Sequence, residues 1–419
     1  MTARASLVDG PVRHHAAVAC LVTAVIAALP GCTLLKSLQT VAPPPPAVAS
    51  PPPPPAPPPP AAAPMPPPPP PFVGPVLPAT PSTDPKTMAI SVPVVFGTNR
   101  VPLPRGVGMK QEFGIKRGAL IYGLAQVSVP SRRDSGEIPT TPAIYARFGM
   151  PGNPRTEFIL MHADPIQPEE IGRITASFFR YIPGQRRGLV FVHGYNVSFE
   201  SAAFRAAQLS VDMKLERMPV FFSWASKAGL AAYWKDENTA LQSVPDFKRF
   251  LKTYLDESKV DQLVIIAHSM GSRIVTSGLV EMLQAVSTIA KKLNHLVLAA
   301  PDLDGAVFTE QVMPVLLSSR IPVTIYASSN DKALLASVKM HGFTRVGSAG
   351  KDIVVGDGME TIDVSAIPTD SLGHSTFGAS PRLLDDIRAL VEEGRRAPAR
   401  AKLSPRPNLG APRYWMMEK

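Results

Sequence analysis

Cysteine is almost missing from this chain: its 419 residues hold two, Cys20 and Cys32, both near the amino terminus. Nothing beyond residue 32 can form a disulfide or a thiolate metal site. A run of apolar and small residues, Ala16 to Leu29, has only fourteen members, short of the roughly 20 that a bilayer span needs. No internal repeat is visible. The formal net charge of +10 is accompanied by no nucleic-acid-binding motif, which argues against a nucleic-acid partner.

Proline is in excess, with 48 residues, so length alone overstates the number of domains. Met1 to His15 is polar and carries Arg4 and Arg13, and the apolar run follows it. A positive segment before an apolar one of this length reads as an export signal. Leu29-Pro30-Gly31-Cys32 resembles the lipobox of bacterial lipoproteins, although Pro30 replaces the small or β-branched residue usual there. Residues 1–32 are therefore expected to direct export into a bacterial cell envelope, with Cys32 acylated. The alternative is a simple secretory signal with an incidental Cys32. Acyl chains would hold the protein to a membrane without spanning it.

Residues 33–87 are dominated by Pro and Ala. Proline fixes φ and gives up its N–H, so this stretch favours extended polyproline II and builds no core. It reads as a disordered spacer, with a reach on the order of 100 Å if stiff. No positioned basic residue flanks the proline runs, which argues against a ligand for proline-recognising domains. At the other end, residues 395–419 carry seven Lys and Arg against Glu418 alone and read as a basic disordered tail.

Residues 88–394 suffice for one large α/β core. Short strands are expected at Ile90 to Phe96, Ala119 to Val129 and Phe158 to Met161. Regular alternation follows: strand Gly188 to Val192, helix Phe199 to Lys214, strand Pro219 to Trp224, and a mostly helical Trp234 to Tyr254 despite Pro245. Strands at Leu263 to Ala267, His295 to Ala300 and Val323 to Ala327 come next, with helices at Ser272 to Ala285, Val307 to Leu317 and Lys332 to Met340. Ile353 to Val364 is expected to hold a last strand or hairpin, and Leu383 to Glu393 a closing helix. Such alternation implies a mostly parallel sheet with helices on both faces.

Asp261 to Arg273, DQLVIIAHSMGSR, organises the rest. A β-branched strand runs into His268-Ser269-Met270-Gly271 and then a helix, the layout of a nucleophile elbow. A serine hydroxyl needs a base, and the base needs an orienting carboxylate. Asp331, immediately after a strand, and His374, in Gly373-His374-Ser375-Thr376, complete the order Ser, acid, His. Asp331 could instead simply cap the helix after it, and Asp302 and Asp304 are rival acids. His341 is the rival base, although its place after a helix suits the dipole. His268 is expected to pack or hydrogen-bond within the elbow. The backbone N–H groups of Met270 and of Tyr195, in His193-Gly194-Tyr195-Asn196, are the expected oxyanion donors.

The chain from about Val92 to Phe377 resembles the bacterial esterase/lipase-like group of α/β-hydrolases catalogued as domain of unknown function 900. The matching pieces are VPVVFGTNR (92–100), VFVHGYNVSFESAAFRAAQL (190–209), PVFFSWAS (219–226), IIAHSMGSRIV (265–275), VLAAPDLD (297–304), TIYASSNDKALLAS (324–337) and GHSTF (373–377). The resemblance implies an α/β-hydrolase fold and a serine-hydrolase site at Ser269, Asp331 and His374. It implies no substrate. Ala225 stands where such proteins usually show Pro.

Two readings follow. One is an exported, lipid-anchored serine hydrolase that cleaves carboxylic esters through an acyl-enzyme, with no metal or organic cofactor implied. The other is a catalytically silent hydrolase fold serving as a tethered binding module. An amidase, thioesterase or acyltransferase would share the first site. Neither the ester nor the oligomeric state is legible.

Overall fold

The computed structural model describes residues 81–104, 111–142, 150–227, 233–285, 288–368, 376–408 and 411–419. The expected export signal with Cys32, the proline-rich segment as far as residue 80, and His374 lie outside the described residues.

Burial on both sides is what makes the central strands. In chain order the first elements are β1 (Ser82–Thr83), β2 (Ile90–Pro102), β3 (Phe113–Val129), β4 (Ile159–Ile166), helix α1 (Glu170–Phe178) and β5 (Arg187–Val192). Then come α2 (Phe199–Asp212), β6 (Met218–Ser223), α3 (Tyr233–Gln242), α4 (Val244–Ser258), β7 (Gln262–His268), α5 (Gly271–Gln284) and β8 (Leu293–Ala299). The last are β9 (Val323–Ala327), α6 (Lys332–His341), β10 (Met359–Asp363), α7 (Pro381–Val391), β11 (Leu403–Asn408) and β12 (Ala411–Met417).

Twelve described strands form one sheet in the order β11-β12-β10-β9-β8-β7-β5-β6-β2-β3-β4, with β1 on β2. From β12 to β2 every neighbouring pair is parallel. Successive side chains of a strand face opposite ways, so the central strands feed two cores. Val190 and Val192 of β5, with Leu263 and Ile265 of β7, meet Phe250 and Tyr254 of α4 and Ile274 and Leu279 of α5. Leu189, Phe191, Val264 and Ile266 meet Phe204 and Ala207 of α2 and Leu384 and Ile387 of α7. Each such side chain contributes about 1.5–3 kcal/mol when fully buried. The expected mostly parallel sheet with helices on both faces is what these pairings build. Among the described residues no helix is long and apolar enough to cross a membrane.

The expected mostly helical Trp234 to Tyr254 is borne out with one break, one helix lies where none was expected, and one expectation is corrected. Trp234 to Tyr254 is two helices, because Pro245 stands in the first turn of α4, where its missing N–H costs nothing. Helix α1 was not expected, and it buries Ile171, Thr175 and Phe178. The basic carboxyl-terminal segment is not a disordered tail: β12 pairs in parallel with β10, and β11 pairs antiparallel with β12. Part of its charge is paired where it docks. The buried Arg400 guanidinium lies 2.9 Å from Asp386, 3.0 Å from Glu360 and 3.1 Å from the Tyr326 hydroxyl. Pro405 and Pro407 lie in the outermost strand β11, and a proline there withholds an N–H from further pairing.

Candidate active site

Strand β7 delivers Ser269 into a turn that only a strained residue can make. Its φ is +51°, in the left-handed region that side chains other than glycine adopt at a cost on the order of 1–3 kcal/mol. Neighbouring strands hold it there. The Ser269 N–H donates to Ala299 O of β8 at 3.0 Å, and Ser269 O accepts from the N–H groups of Ser272 (3.0 Å) and Asp302 (3.3 Å). Ser269 and Met270 are both buried, and α5 begins at Gly271, so its first-turn N–H groups lie beside the serine.

Two glycines bring the turn after β5 onto this elbow. A Cβ on Gly271 would stand 2.4 Å from His193 O, and one on Gly194 would stand 2.9 Å from the Ser269 Cβ. Gly194 therefore lies against Ser269, and His193 O lies against Gly271. Asn196 has a φ of +56°, which reverses the chain before α2. The half-buried Tyr195 packs edge-on against Tyr233, with ring centroids 5.4 Å apart. Burial raises the Tyr195 hydroxyl pKa, and the negative charges of Asp331, Asp302 and Asp236 raise it further.

The rival acids differ in what holds them. Asp331 is buried directly after β9 and caps α6, its Oδ1 accepting the Leu334 N–H at 3.0 Å. The capping reading of this residue is therefore correct, and it coexists with a position at the carboxyl end of a parallel strand, where sites in such sheets form. Asp302, after β8, has both carboxylate oxygens engaged. Oδ1 accepts from Ser337 Oγ at 2.8 Å and faces Arg345 Nε at 3.3 Å, while Oδ2 accepts from the Tyr233 hydroxyl and faces Arg273 at 3.4 Å. Burial alone would raise its pKa, but Arg273, Tyr233, Arg345 and Ser337 outweigh that and lower it. Asp304 caps a short helix through Ala306 and Val307.

Among the histidines, His341 is occupied. Its Nδ1 is 2.9 Å from Ser337 O and its Nε2 3.0 Å from Glu237, which also pairs with Arg273 at 2.6 Å. His268 packs within the elbow as expected, stacked on Phe377 at 4.6 Å. His193 is buried and held neutral: desolvation and the Arg100 charge take its pKa down to about 3.

The structure thus brings together Ser269, Met270 and the Gly194–Tyr195 turn, and it puts the Asp331 charge near enough to Tyr195 to raise the pKa of its hydroxyl. Sequence reasoning missed Thr98-Asn99-Arg100, three consecutive polar residues that are all buried at the end of β2, as well as Ser223 and Trp224. A polar triplet closing an apolar strand is the signal that could have found the first three. Among the described residues no group of His, Cys, Asp or Glu could hold a metal ion.

The family described as "Alpha/beta hydrolase of unknown function (DUF900)" matches residues 179–393. None of the curated proteins matches the chain. Solved structures similar to it include an uncharacterized protein from Bacillus cereus, at 11% identity and a TM-score of 0.33 over 51% of this chain and 63% of that one. Carboxylesterase CesB (YbfK) from Bacillus subtilis is similar at 12% identity and a TM-score of 0.30, over 51% of this chain and 86% of that one. A putative hydrolase from Agrobacterium vitis is similar at 12% identity and a TM-score of 0.31, over 70% of this chain and 97% of that one.

Proposed function

The chain belongs to the alpha/beta hydrolases of unknown function (DUF900), and we propose that it is a serine hydrolase acting on carboxylic esters through an acyl-enzyme. The observation that carries this reading is Ser269 at a φ of +51° on a strand-to-helix turn, with Gly194 against it. Backbone strain of this kind clusters at active sites, and a strained strand-to-helix turn is where a nucleophilic serine is held in this fold.

In this reading Ser269 attacks the ester carbonyl, His374 takes the hydroxyl proton and returns it to the leaving alkoxide, and Asp331 orients His374. The oxyanion accepts hydrogen bonds from the N–H groups of Met270 and Tyr195. Water then attacks the acyl-enzyme with His374 again as base. Asp302 is the weaker candidate for the acid, because its carboxylate is committed to two arginines, a tyrosine and a serine.

The test is labelling of the full chain with a fluorophosphonate probe beside Ser269→Ala and His374→Ala. Labelling lost in both variants supports an activated serine. A folded wild-type protein that takes no label overturns the reading and leaves the tethered binding module. We also propose that residues 1–32 direct export and that Cys32 carries the lipid anchor, on the strength of the charged, apolar and Cys-terminated pattern. Metabolic labelling with an alkyne fatty acid checks this, and label persisting in Cys32→Ser sinks it.

A further inference from the structure

We infer that a directed chain of hydrogen bonds, from Arg100 through Ser223 to His193, aims the Tyr195 N–H at the oxyanion, which makes His193 and Arg100 positioning residues. The inference rests on the serine-hydrolase reading above and adds to it which groups hold the oxyanion turn.

The direction of the chain is fixed at both ends. His193 Nδ1 lies 2.7 Å from Gly194 O, and a carbonyl oxygen only accepts, so Nδ1 carries the proton. The other ring nitrogen, Nε2, lies 3.2 Å from Ser223 Oγ. In the neutral ring it accepts, so the Ser223 hydroxyl donates to it. Ser223 Oγ in turn accepts from Arg100 Nε–H at 2.8 Å, and a guanidinium only donates. Each group leaves its neighbour one role.

The consequence falls on one peptide plane. In a trans peptide the C=O and N–H point opposite ways. Holding Gly194 O toward His193 therefore turns the Tyr195 N–H of the same peptide away from His193, on a turn whose Gly194 touches Ser269. The preceding peptide is held as well, because His193 O accepts from Trp224 Nε1–H at 2.8 Å. Trp224 also stacks on the imidazole, with planes 9° apart, which fixes the ring that does the aiming.

Arg100 secures the surroundings. It is buried, and besides Ser223 it donates to Val197 O at 2.7 Å, Ser226 O at 3.1 Å and Gly114 O at 3.2 Å. These acceptors are uncharged, and burying a guanidinium among them is costly. One side chain thereby ties the end of β2 to the chain after β5 and to the chain after β6. The turn it ties contains Asn196 at positive φ, a conformation that needs outside support.

The experiment uses the full chain, with p-nitrophenyl acetate as substrate, in four forms: wild type, His193→Phe, His193→Asn and Ser223→Ala. Phe keeps the stack on Trp224 and removes the N–H, whereas Asn offers an amide N–H near the Nδ1 position. His193→Phe is expected to lower kcat about 30-fold with KM within about twofold, less than the loss of a whole oxyanion donor. His193→Asn is expected to recover most of that. Ser223→Ala, which removes only a hydroxyl, keeps the inference testable if the Phe variant does not fold, and is expected to lower kcat about fivefold. A long-range ¹⁵N spectrum of wild type is expected to show His193 as the neutral Nδ1–H tautomer. Wild-type kcat in His193→Phe, or in Ser223→Ala where the Phe variant does not fold, overturns the inference alone, as does an Nε2–H tautomer. A folded wild type that neither hydrolyses the ester nor takes a fluorophosphonate overturns the hydrolase reading and the aiming role with it.

Discussion

Gly194 and Ser269 lie so close that a methyl group on the glycine would stand 2.9 Å from the serine Cβ and 3.1 Å from His268 Nδ1. Gly194→Ala must push the turn and the elbow apart. It is expected to cost about 1–3 kcal/mol of stability and to lower ester hydrolysis about 100-fold, as misplacements near 1 Å do. A thermal melt and a p-nitrophenyl acetate assay check both. Unchanged activity would separate this turn from the reaction.

Ser269→Gly relieves the left-handed backbone. It is expected to abolish fluorophosphonate labelling while raising the melting temperature by about 2 °C, the size of a 1 kcal/mol gain in a domain of this length. Calorimetry of the two proteins is the check, and a lower melting temperature would mean that the serine side chain contributes more than its backbone costs.

The two acids should fail differently. Asp302→Asn leaves Arg273 and Arg345 buried beside a neutral group and is expected to cost about 3–5 kcal/mol. Asp331→Asn keeps a helix cap, so its stability should stay within about 1 kcal/mol, while kcat falls on the order of 10⁴-fold if it orients His374. Urea melts and kinetics on both variants decide, and the reverse pattern would move the triad acid to Asp302.

Acid should destabilise the fold through two histidines. His193 and His295 are taken from their ordinary 6.5 to about 3 by burial first, then by Arg100 for one and by Arg396, Arg400 and Arg217 for the other. Their pKa values are depressed in the fold, so their stabilisation is complete above pH 6.5 and is lost as pH falls from there toward 3. The slope approaches about 1.4 kcal/mol per pH unit for each ring. Urea melts at pH 7, 6 and 5 should show it, and His295→Gln should flatten it. An unaltered slope in that variant would exclude His295.

Truncation after Glu393 removes Arg400 from Glu360 and Asp386 and opens the edge of β10. The expected cost is about 3–5 kcal/mol, the penalty for carboxylates left buried and unpaired. Limited proteolysis should leave residues 395–419 of the wild type intact, and rapid trimming there would restore the disordered-tail reading.

Where order is local, it could be read from the chain. Leu263 to Ala267 and Val323 to Ala327 are apolar runs that a two-faced sheet requires, and each became a strand within about a residue of its expected bounds. The elbow is local as well: strand, serine, glycine and helix are contiguous, so the placement of Ser269 could be argued without any contact.

What the sequence by itself determined about this protein is therefore its alternation of strands and helices, the elbow at Ser269 and the chain order of the candidate groups. Only the tertiary structure decided that Asp302 is locked between Arg273 and Arg345 while Asp331 sits at the end of β9, because ion pairs join residues far apart in sequence. It also decided that a proline-bearing, basic carboxyl terminus folds. Leu403–Asn408 and Ala411–Met417 carry prolines and arginines that read as solvated, and what orders them is the edge of β10 and the carboxylates of Glu360 and Asp386. The physical reason is the same in both cases: a charge is costly to bury or cheap depending on its partner, and the partner is set by the fold.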